Sequence, residues 1–70
     1  MSSICSGKSS WAELVGAEGE VAKATIEQEN PAVSAIVVLQ GTNVHEDFRC
    51  SRVWVWVDAN GTVISVPTIG

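Results

Sequence analysis

The stretch that decides the fold runs from Val33 to Val57 and reads VSAIVVLQGTNVHEDFRCSRVWVWV. Both of its ends are apolar and strand-like, whereas the segment between Gly41 and Cys50 is mostly polar. A polar segment between two rigid strands runs over the surface, and surface loops carry function more often than cores do. The sequence therefore predicts a displayed loop, GTNVHEDFRC, as the candidate functional segment.

The two strands beside this loop have different patterns. Val33 to Leu39 is apolar on both faces, which predicts a strand in the middle of a covered sheet. Arg52 to Asp58 alternates with a period of two, as a strand with two unlike faces does. One face carries the valines and the other carries the larger side chains: Val53, Val55 and Val57 against Arg52, Trp54 and Trp56.

Downstream, Asn60-Gly61 is a strong hairpin signal, because both residues accept the positive φ that tight hairpins require. It predicts a last strand from Thr62 to Val66, which ends at Pro67.

Two helical segments are predicted upstream. Ser10 to Glu13 fits a capping box and predicts a short helical turn that ends near Gly16 and places Trp11 and Leu14 in the core. A longer helix starts at Glu18 or Glu20 and ends at Glu29, because Pro31 disfavours helical geometry at the preceding residue. Its predicted apolar face consists of Val21, Ala22, Thr25 and Ile26.

Length and charge limit the function classes. Seventy residues make one small domain, and 46% apolar residues exclude a disordered chain. The net charge of −4 argues against nucleic-acid binding, which needs a basic surface. No apolar run reaches the roughly 18 residues of a membrane span. The stretch MSSICSGKSSW has no apolar signal core, so we expect no secretory signal in it.

The two cysteines, Cys5 and Cys50, leave two possibilities open at this point. They form one bridge, which would stabilise so small a domain by about 4 kcal/mol, or they stay as two thiols in a reducing compartment. The chain has no Cys-x-x-Cys pattern and no His/Cys cluster, so we expect no metal site.

Two groups of side chains around the loop could carry chemistry. His45, Glu46 and Asp47 are sequence neighbours in an exposed loop, so they share no pocket that would tune them for catalysis, and they converge poorly on one metal ion. A small enzyme is therefore disfavoured. Arg49 and Arg52 follow the acidic pair and could hold the loop by hydrogen bonds to carboxylate or carbonyl oxygens.

The motifs, taken in order, closely resemble the potato inhibitor I family of serine-protease inhibitors, especially the small disulfide-bearing seed inhibitors of cucurbits, flax and buckwheat. They cover nearly the whole chain: CSGKSSW with ELVG, IEQENP, AIVVLQG, DFRC, SRVWVWVD and VPTIG.

The resemblance implies an α+β fold in one domain, residues 1–70, with one main helix packed on a small mixed sheet. The extended protease-binding loop would join two parallel strands. The strand pattern alone predicts an antiparallel pair, because parallel strands need a longer crossover. The resemblance also implies a Cys5–Cys50 disulfide bond.

The same resemblance implies a substrate-like, reversible inhibitor of serine proteases, a monomer without cofactor, with a role in plant defence and the response to wounding. It implies a location outside the cell, in the vacuole or in seed tissue, and the lack of a signal in the chain as given leaves the cytoplasm as the alternative. The reactive-site bond would be Glu46–Asp47, and Arg52 and Trp54 would support the loop. The whole protease-binding loop would comprise Thr42, Asn43, Val44, His45, Glu46, Asp47, Phe48 and Arg49.

Three residues depart from the family pattern. Relatives usually carry Lys, Arg, Met, Leu or Ala at the position of Glu46, Thr at that of His45, and often a second arginine at that of Trp54. A glutamate before the scissile bond predicts a target that accepts an acidic residue, or a broad subtilisin-like enzyme, and poor inhibition of trypsin. The alternative is a non-inhibitory interaction module that has kept the fold and lost protease binding.

Overall fold

The structure is a computed structural model that describes residues 5–44 and 47–70. A short 3-10 helix precedes one α-helix and three strands, which form a single sheet in the order β1-β2-β3. The elements are the 3-10 helix Ala12–Leu14, α1 Gly19–Glu29, β1 Ser34–Leu39, β2 Arg52–Val57 and β3 Thr68–Ile69. Since β1 is parallel to β2 and β3 is antiparallel to it, the expected α+β fold with a mixed sheet is confirmed.

The antiparallel pairing that the strand pattern alone predicts for β1 and β2 is wrong. The two strands run parallel, with Ser34 opposite Arg52 and Leu39 opposite Val57. A parallel pair needs a connection of a dozen or so residues, because the chain must return along the full strand length. Residues 40–51 are that connection, and therefore the polar loop is also the crossover of the sheet.

The helix-facing side of β2 forms the centre of the core. Val53 and Val55 are fully buried, as is Ile26 of α1. The expected apolar face of α1 was too wide, because Val21 is 55% exposed while its neighbour Ala22 is fully buried. Consecutive helical residues lie about 100° apart, so only one of the two can face the sheet. Among the described residues, no helix has the length and apolar character that crossing a membrane requires.

Strand β1 lies at the edge of the sheet, and the prediction of a strand covered on both sides is wrong. Ala35 faces the core, but Ile36 and Leu39 are 40% and 54% exposed. A three-stranded sheet with a single α-helix has cover for one face only. The carboxylate of Glu27 accepts a hydrogen bond of 2.9 Å from the Ala35 N–H, which satisfies one donor of this edge strand.

The expected burial of Trp11 and Leu14 is confirmed, but the capping box is not present. Trp11 occupies the cap position of the 3-10 helix and makes no side-chain cap hydrogen bond. Glu13 forms an ion pair with Lys8 instead, and Lys8 also bonds Glu29 at 3.0 Å. The Glu29 carboxylate accepts the indole N–H of Trp11 at 2.9 Å, and this gives the buried ring the polar partner it needs.

A turn forms at Asn60-Gly61, but it spans Asp58 to Gly61, and of this pair only Gly61 adopts the expected positive φ. The Gly61 N–H donates to the Asp58 carbonyl at 2.9 Å, and the Asp58 carboxylate accepts from the backbone N–H groups of Asn60 and Thr62. Gly61 has a φ of 82°, in the left-handed region that glycine adopts without strain.

The last strand, however, is not where the pattern placed it. Of the expected strand Thr62–Val66, only Val63 pairs with β2, opposite Val57. The Val63 carbonyl accepts a hydrogen bond from the Gly16 N–H, and the Val63 N–H donates to the Ala17 carbonyl. The side of Val63 that faces away from β2 is therefore paired with the segment that follows the 3-10 helix. Pairing with β2 resumes only after Pro67, at Thr68–Ile69.

Candidate functional site

The loop begins in a tight turn at the end of β1. The Thr42 N–H donates to the Leu39 carbonyl at 3.0 Å, and Gly41 has a φ of 90°. A positive φ at the third position is what a type II turn requires, and glycine supplies it most easily. The turn leaves Thr42 and Asn43 exposed and Val44 partly covered. His45 and Glu46 come next and lie outside the described residues.

The loop ends at a disulfide bond between Cys50 and Cys5, with Cα atoms 5.2 Å apart. This is the pairing that the resemblance implied. Cys5 is buried and Cys50 is exposed, so the bond ties the end of the loop to a residue packed in the core.

Asn30 holds the segment that carries Cys5, whereas the sequence predicts only that it ends the helix. Its side chain is 4% exposed and makes three hydrogen bonds. The amide nitrogen donates to the carbonyls of Ser6 at 3.1 Å and Lys8 at 3.0 Å, and the amide oxygen accepts from the Ala32 N–H at 3.1 Å. The anchor of the loop therefore extends through the disulfide to the C-terminal end of α1.

Arg52 is the residue of the scaffold that reaches the loop. It is the first residue of β2 and is only 8% exposed. One terminal nitrogen, Nη2, donates to the Asp47 carbonyl, and both terminal nitrogens lie 3.5 Å from the carboxylate oxygen Oδ1 of Asp47. A buried guanidinium with several acceptors is held in one orientation, because its five donors are fixed in a plane.

Two further contacts fix that guanidinium. Its Nε donates to the Gly70 carbonyl at 2.9 Å, while the Gly70 N–H donates to the Arg52 carbonyl at 3.0 Å. The guanidinium carbon lies 4.6 Å from the centre of the Trp54 ring, within the range of a cation–π contact. Sequence reasoning missed Gly70, because nothing in VPTIG indicates a contact with a residue so far away in the chain.

The Asp47 carboxylate has a second partner inside the loop. Arg49 Nε donates to its Oδ2 at 2.7 Å, and both side chains are largely exposed. The hydrogen bond from Arg49, with the positive charges of Arg49 and Arg52, lowers the pKa of Asp47 below its ordinary value of 3.8. Asp47 is therefore held twice, through its carbonyl mainly by Arg52 and through its carboxylate mainly by Arg49.

We expect these contacts to weaken in acid. A lowered carboxyl pKa stabilises the folded loop fully above the ordinary value of 3.8, and this contribution is lost as the pH falls through the lowered pKa of Asp47. NMR titration of the Asp47 carboxyl carbon should give a midpoint below 3.8, and loop amide signals should move with the same midpoint. In the matched variant Arg49→Gln, the midpoint should rise. An Asp47 midpoint at the ordinary value in the wild type would contradict the ion pair.

The described residues contain no group of three or more His, Cys, Asp or Glu side chains that could hold a metal ion.

The family model described as the potato inhibitor I family matches residues 4–70, which is nearly the whole chain. The chain belongs to the potato inhibitor I family.

Several relatives in the potato inhibitor I family are similar to this chain over their full length. The "Inhibitor of trypsin and hageman factor" of Cucurbita maxima is 56% identical and covers 97% of this chain and 100% of the relative. The "Glu S.griseus protease inhibitor" of Momordica charantia is 54% identical with the same coverage. The crystal structure of bitter gourd trypsin inhibitor is 54% identical, has a TM-score of 0.93, and covers 97% of this chain and 100% of that chain.

Two further members carry informative names. The "Trypsin/subtilisin inhibitor" of Amaranthus caudatus is 49% identical and covers 93% of this chain and 94% of the relative. The "Wound-induced proteinase inhibitor 1" of Solanum peruvianum is 43% identical and covers 96% of this chain and 61% of the relative.

Proposed function

We propose that this protein inhibits serine endopeptidases by presenting the loop Thr42–Arg49 as a substrate, with Glu46–Asp47 as the reactive-site bond. The observation that carries the proposal is the contact of Arg52 with the backbone carbonyl of Asp47, the residue directly after that bond. The relatives are inhibitors rather than enzymes, which supports a non-enzymatic function over the whole chain. A role in the response to wounding is proposed from the wound-induced relative.

The physical basis is a loop that is rigid before it binds. Gly41 starts the loop in a turn, Arg52 fixes it near the reactive bond, and Cys50 ends it at a disulfide. A preformed loop loses less conformational entropy in the protease cleft than a flexible peptide with the same sequence. The same contacts keep Asp47 in place if the bond before it is cut, so the protease remains occupied.

Trp54 supports the loop through Arg52 in this proposal. Where many relatives have a second arginine, the indole ring stacks under the guanidinium of Arg52. The carboxylate of Asp47 is paired by Arg49 at 2.7 Å. Two positive charges therefore hold Asp47, Arg52 from the scaffold and Arg49 from within the loop.

Glu46 decides the class of protease that we propose as the target. The side chain before the scissile bond enters the main specificity pocket, so the enzyme must accept a carboxylate there. The Momordica charantia relative is named for a Glu protease, which supports a glutamate-accepting target. The Amaranthus caudatus relative is named for subtilisin as well as trypsin, which supports a subtilisin-like target.

The experiment that tests this function is a set of inhibition constants against a glutamate-specific serine endopeptidase, trypsin and subtilisin. We expect tight inhibition of the first and weak inhibition of trypsin. Inhibition of subtilisin alone would keep the mechanism and change the target class. Rapid cleavage at Glu46–Asp47 without lasting inhibition would make the protein a substrate. No effect on a broad panel would favour the non-inhibitory module, to which the relatives give no support.

The variant Arg52→Gln should be cut at Glu46–Asp47 about 10 to 100 times faster than the wild type. A hydrogen bond to a charged group contributes about 1.5–3 kcal/mol, and its loss frees Asp47 to leave the cleft. Mass spectrometry of timed digests at a temperature where both proteins are folded measures the rate. Lys23→Gln, which removes one positive charge from α1, is the matched control and should be cut at the wild-type rate. Equal rates for all three proteins would show that Arg52 is not a support.

A further inference from the structure

Asn30 and Arg52 are the two polar or charged side chains that are buried in the described part of the chain. Arg52 supports the loop directly, whereas the mechanism proposed above makes no use of Asn30. Burying an amide costs free energy unless its polar atoms are bonded. Asn30 meets this condition with three hydrogen bonds, and the two that its nitrogen donates leave the helix for the segment next to Cys5.

The segment Ser6–Lys8 depends on these two bonds. It is exposed and lies between Cys5, which packs in the core, and Ser9, whose carbonyl accepts the N–H of Ile69 at 3.0 Å. Between those two fixed points, the amide nitrogen of Asn30 holds the first and last carbonyls of the segment at 3.1 and 3.0 Å. The backbone path that leads into Cys5 is therefore fixed largely by one side chain.

Gly7 shows how closely the segment fits this amide. A Cβ atom added to Gly7, where φ is 79°, would lie 2.8 Å from Nδ2 of Asn30. Any larger residue would therefore push the amide away from its two acceptors. Gly16 has a similar φ of 92°, but a Cβ atom there would meet nothing within 4 Å. The two glycines thus separate loss of the Asn30 contact from backbone strain.

We propose that Asn30 is a positioning residue for the reactive-site loop, which acts from the end of α1 through the segment Ser6–Lys8 and the disulfide bond. That bond ties the end of the loop at Cys50 to Cys5, so movement of the segment would be passed on to the loop. This inference rests on the proposed inhibitory function. It adds that the resistance of the Glu46–Asp47 bond to cleavage depends on a buried amide outside the loop.

The first test compares Asn30→Asp with the wild type in timed digests with a glutamate-specific serine endopeptidase, at a temperature where both proteins are folded. Aspartate keeps the oxygen that accepts the Ala32 N–H, but the ionised side chain has no donor for the two carbonyls. Cleavage at Glu46–Asp47 should be about 3 to 30 times faster, as expected for the loss of one or two neutral hydrogen bonds. An unchanged rate would overturn the proposal.

The variant Gly7→Ala should also be cut faster, because its Cβ atom would displace the Asn30 amide. The matched control is Gly16→Ala, which places alanine at a similar positive φ without this contact and should be cut at the wild-type rate. Equal acceleration by the two alanine variants would assign the effect to backbone strain and contradict the role of Asn30.

The disulfide bond separates positioning from a general loss of stability. In the double variant Cys5→Ser, Cys50→Ser, adding Asn30→Asp should change the cleavage rate by less than about twofold, because the route from Asn30 to the loop is gone. A general loss of stability would instead give the same acceleration in both backgrounds, and that result would contradict the proposal.

Amide hydrogen exchange of the disulfide-bonded proteins gives a second readout that needs no protease. Asn30→Asp should accelerate exchange more at Ser34, whose N–H donates to the Ser51 carbonyl beside Cys50, than at Ala22 within α1. Equal acceleration at both amides, or none at Ser34, would overturn the role of Asn30 and leave the inhibitory function standing. If the wild type inhibited no protease, the proposed function would be wrong, and hydrogen exchange would still decide whether Asn30 fixes the end of the loop.

Discussion

Glu46→Lys is expected to make this protein a trypsin inhibitor, with binding to trypsin at least about 1,000-fold tighter than that of the wild type. The specificity pocket of trypsin contains an aspartate, and two like charges brought together in an interface cost several kcal/mol. Lysine replaces this repulsion with an ion pair, and a change of about 4 kcal/mol corresponds to about 1,000-fold in affinity. Inhibition constants of both proteins for trypsin measure the effect.

Two controls distinguish the pocket from overall charge. Glu46→Gln removes the repulsion without adding a positive charge, so its affinity for trypsin should lie between those of the wild type and the lysine variant. Glu20→Lys changes the net charge by the same amount on the exposed side of α1, and should leave trypsin inhibition weak. If Glu46→Lys is folded and still does not inhibit trypsin, Glu46 is not the specificity residue.

Removal of the disulfide bond is expected to lower the free energy of unfolding by about 4 kcal/mol. Cys5 and Cys50 are 45 positions apart, and a bond that closes a loop of this length restricts the unfolded chain by about that amount in the chain-entropy model. For a domain of this size the melting temperature should fall by about 20 °C. The measurement is thermal unfolding with and without reductant, with thiol counting to prove complete reduction.

The double variant Cys5→Ser, Cys50→Ser provides the control for this experiment. It should melt at the temperature of the reduced protein and should not respond to reductant. It should also be cut faster at Glu46–Asp47, because Cys50 then no longer ties the end of the loop to the buried Cys5 segment. An unchanged melting curve after complete reduction would show that the bond contributes little to stability.

Local signals were enough to predict the main helix. Asn30-Pro31 places the end of α1 at Glu29, where the structure has it, because the effect of proline on the preceding residue is local. The positions of Ile36 in an edge strand and Val21 on the exposed side of α1 could not be predicted in this way. Apolar patterning shows which faces could be buried, but the number of strands and helices decides which faces are covered.

The candidate site shows the same division between what sequence reasoning can predict and what only the complete fold decides. Asp47 and Arg52 are five positions apart, and the resemblance to a known family was enough to name Arg52 as a support of the loop. The contacts of Arg52 with Gly70 and of Asn30 with Ser6 join residues 18 and 24 positions apart. Such contacts depend on the complete path of the chain, and a glycine or an asparagine carries no signal for them. The parallel pairing of β1 and β2 was missed by the pattern for the same reason.

The parallel pairing also determines what happens to the molecule if the bond Glu46–Asp47 is opened. The chain would then consist of two fragments, one with β1 and one with β2, joined by six paired positions and by the covalent link from Cys5 to Cys50. The new amine and carboxyl ends would have a high effective concentration toward each other, so that re-forming the bond is a unimolecular step. Opening the loop would thus change the covalent state of the protein without dispersing its parts, and the protease that cut it could equally restore it.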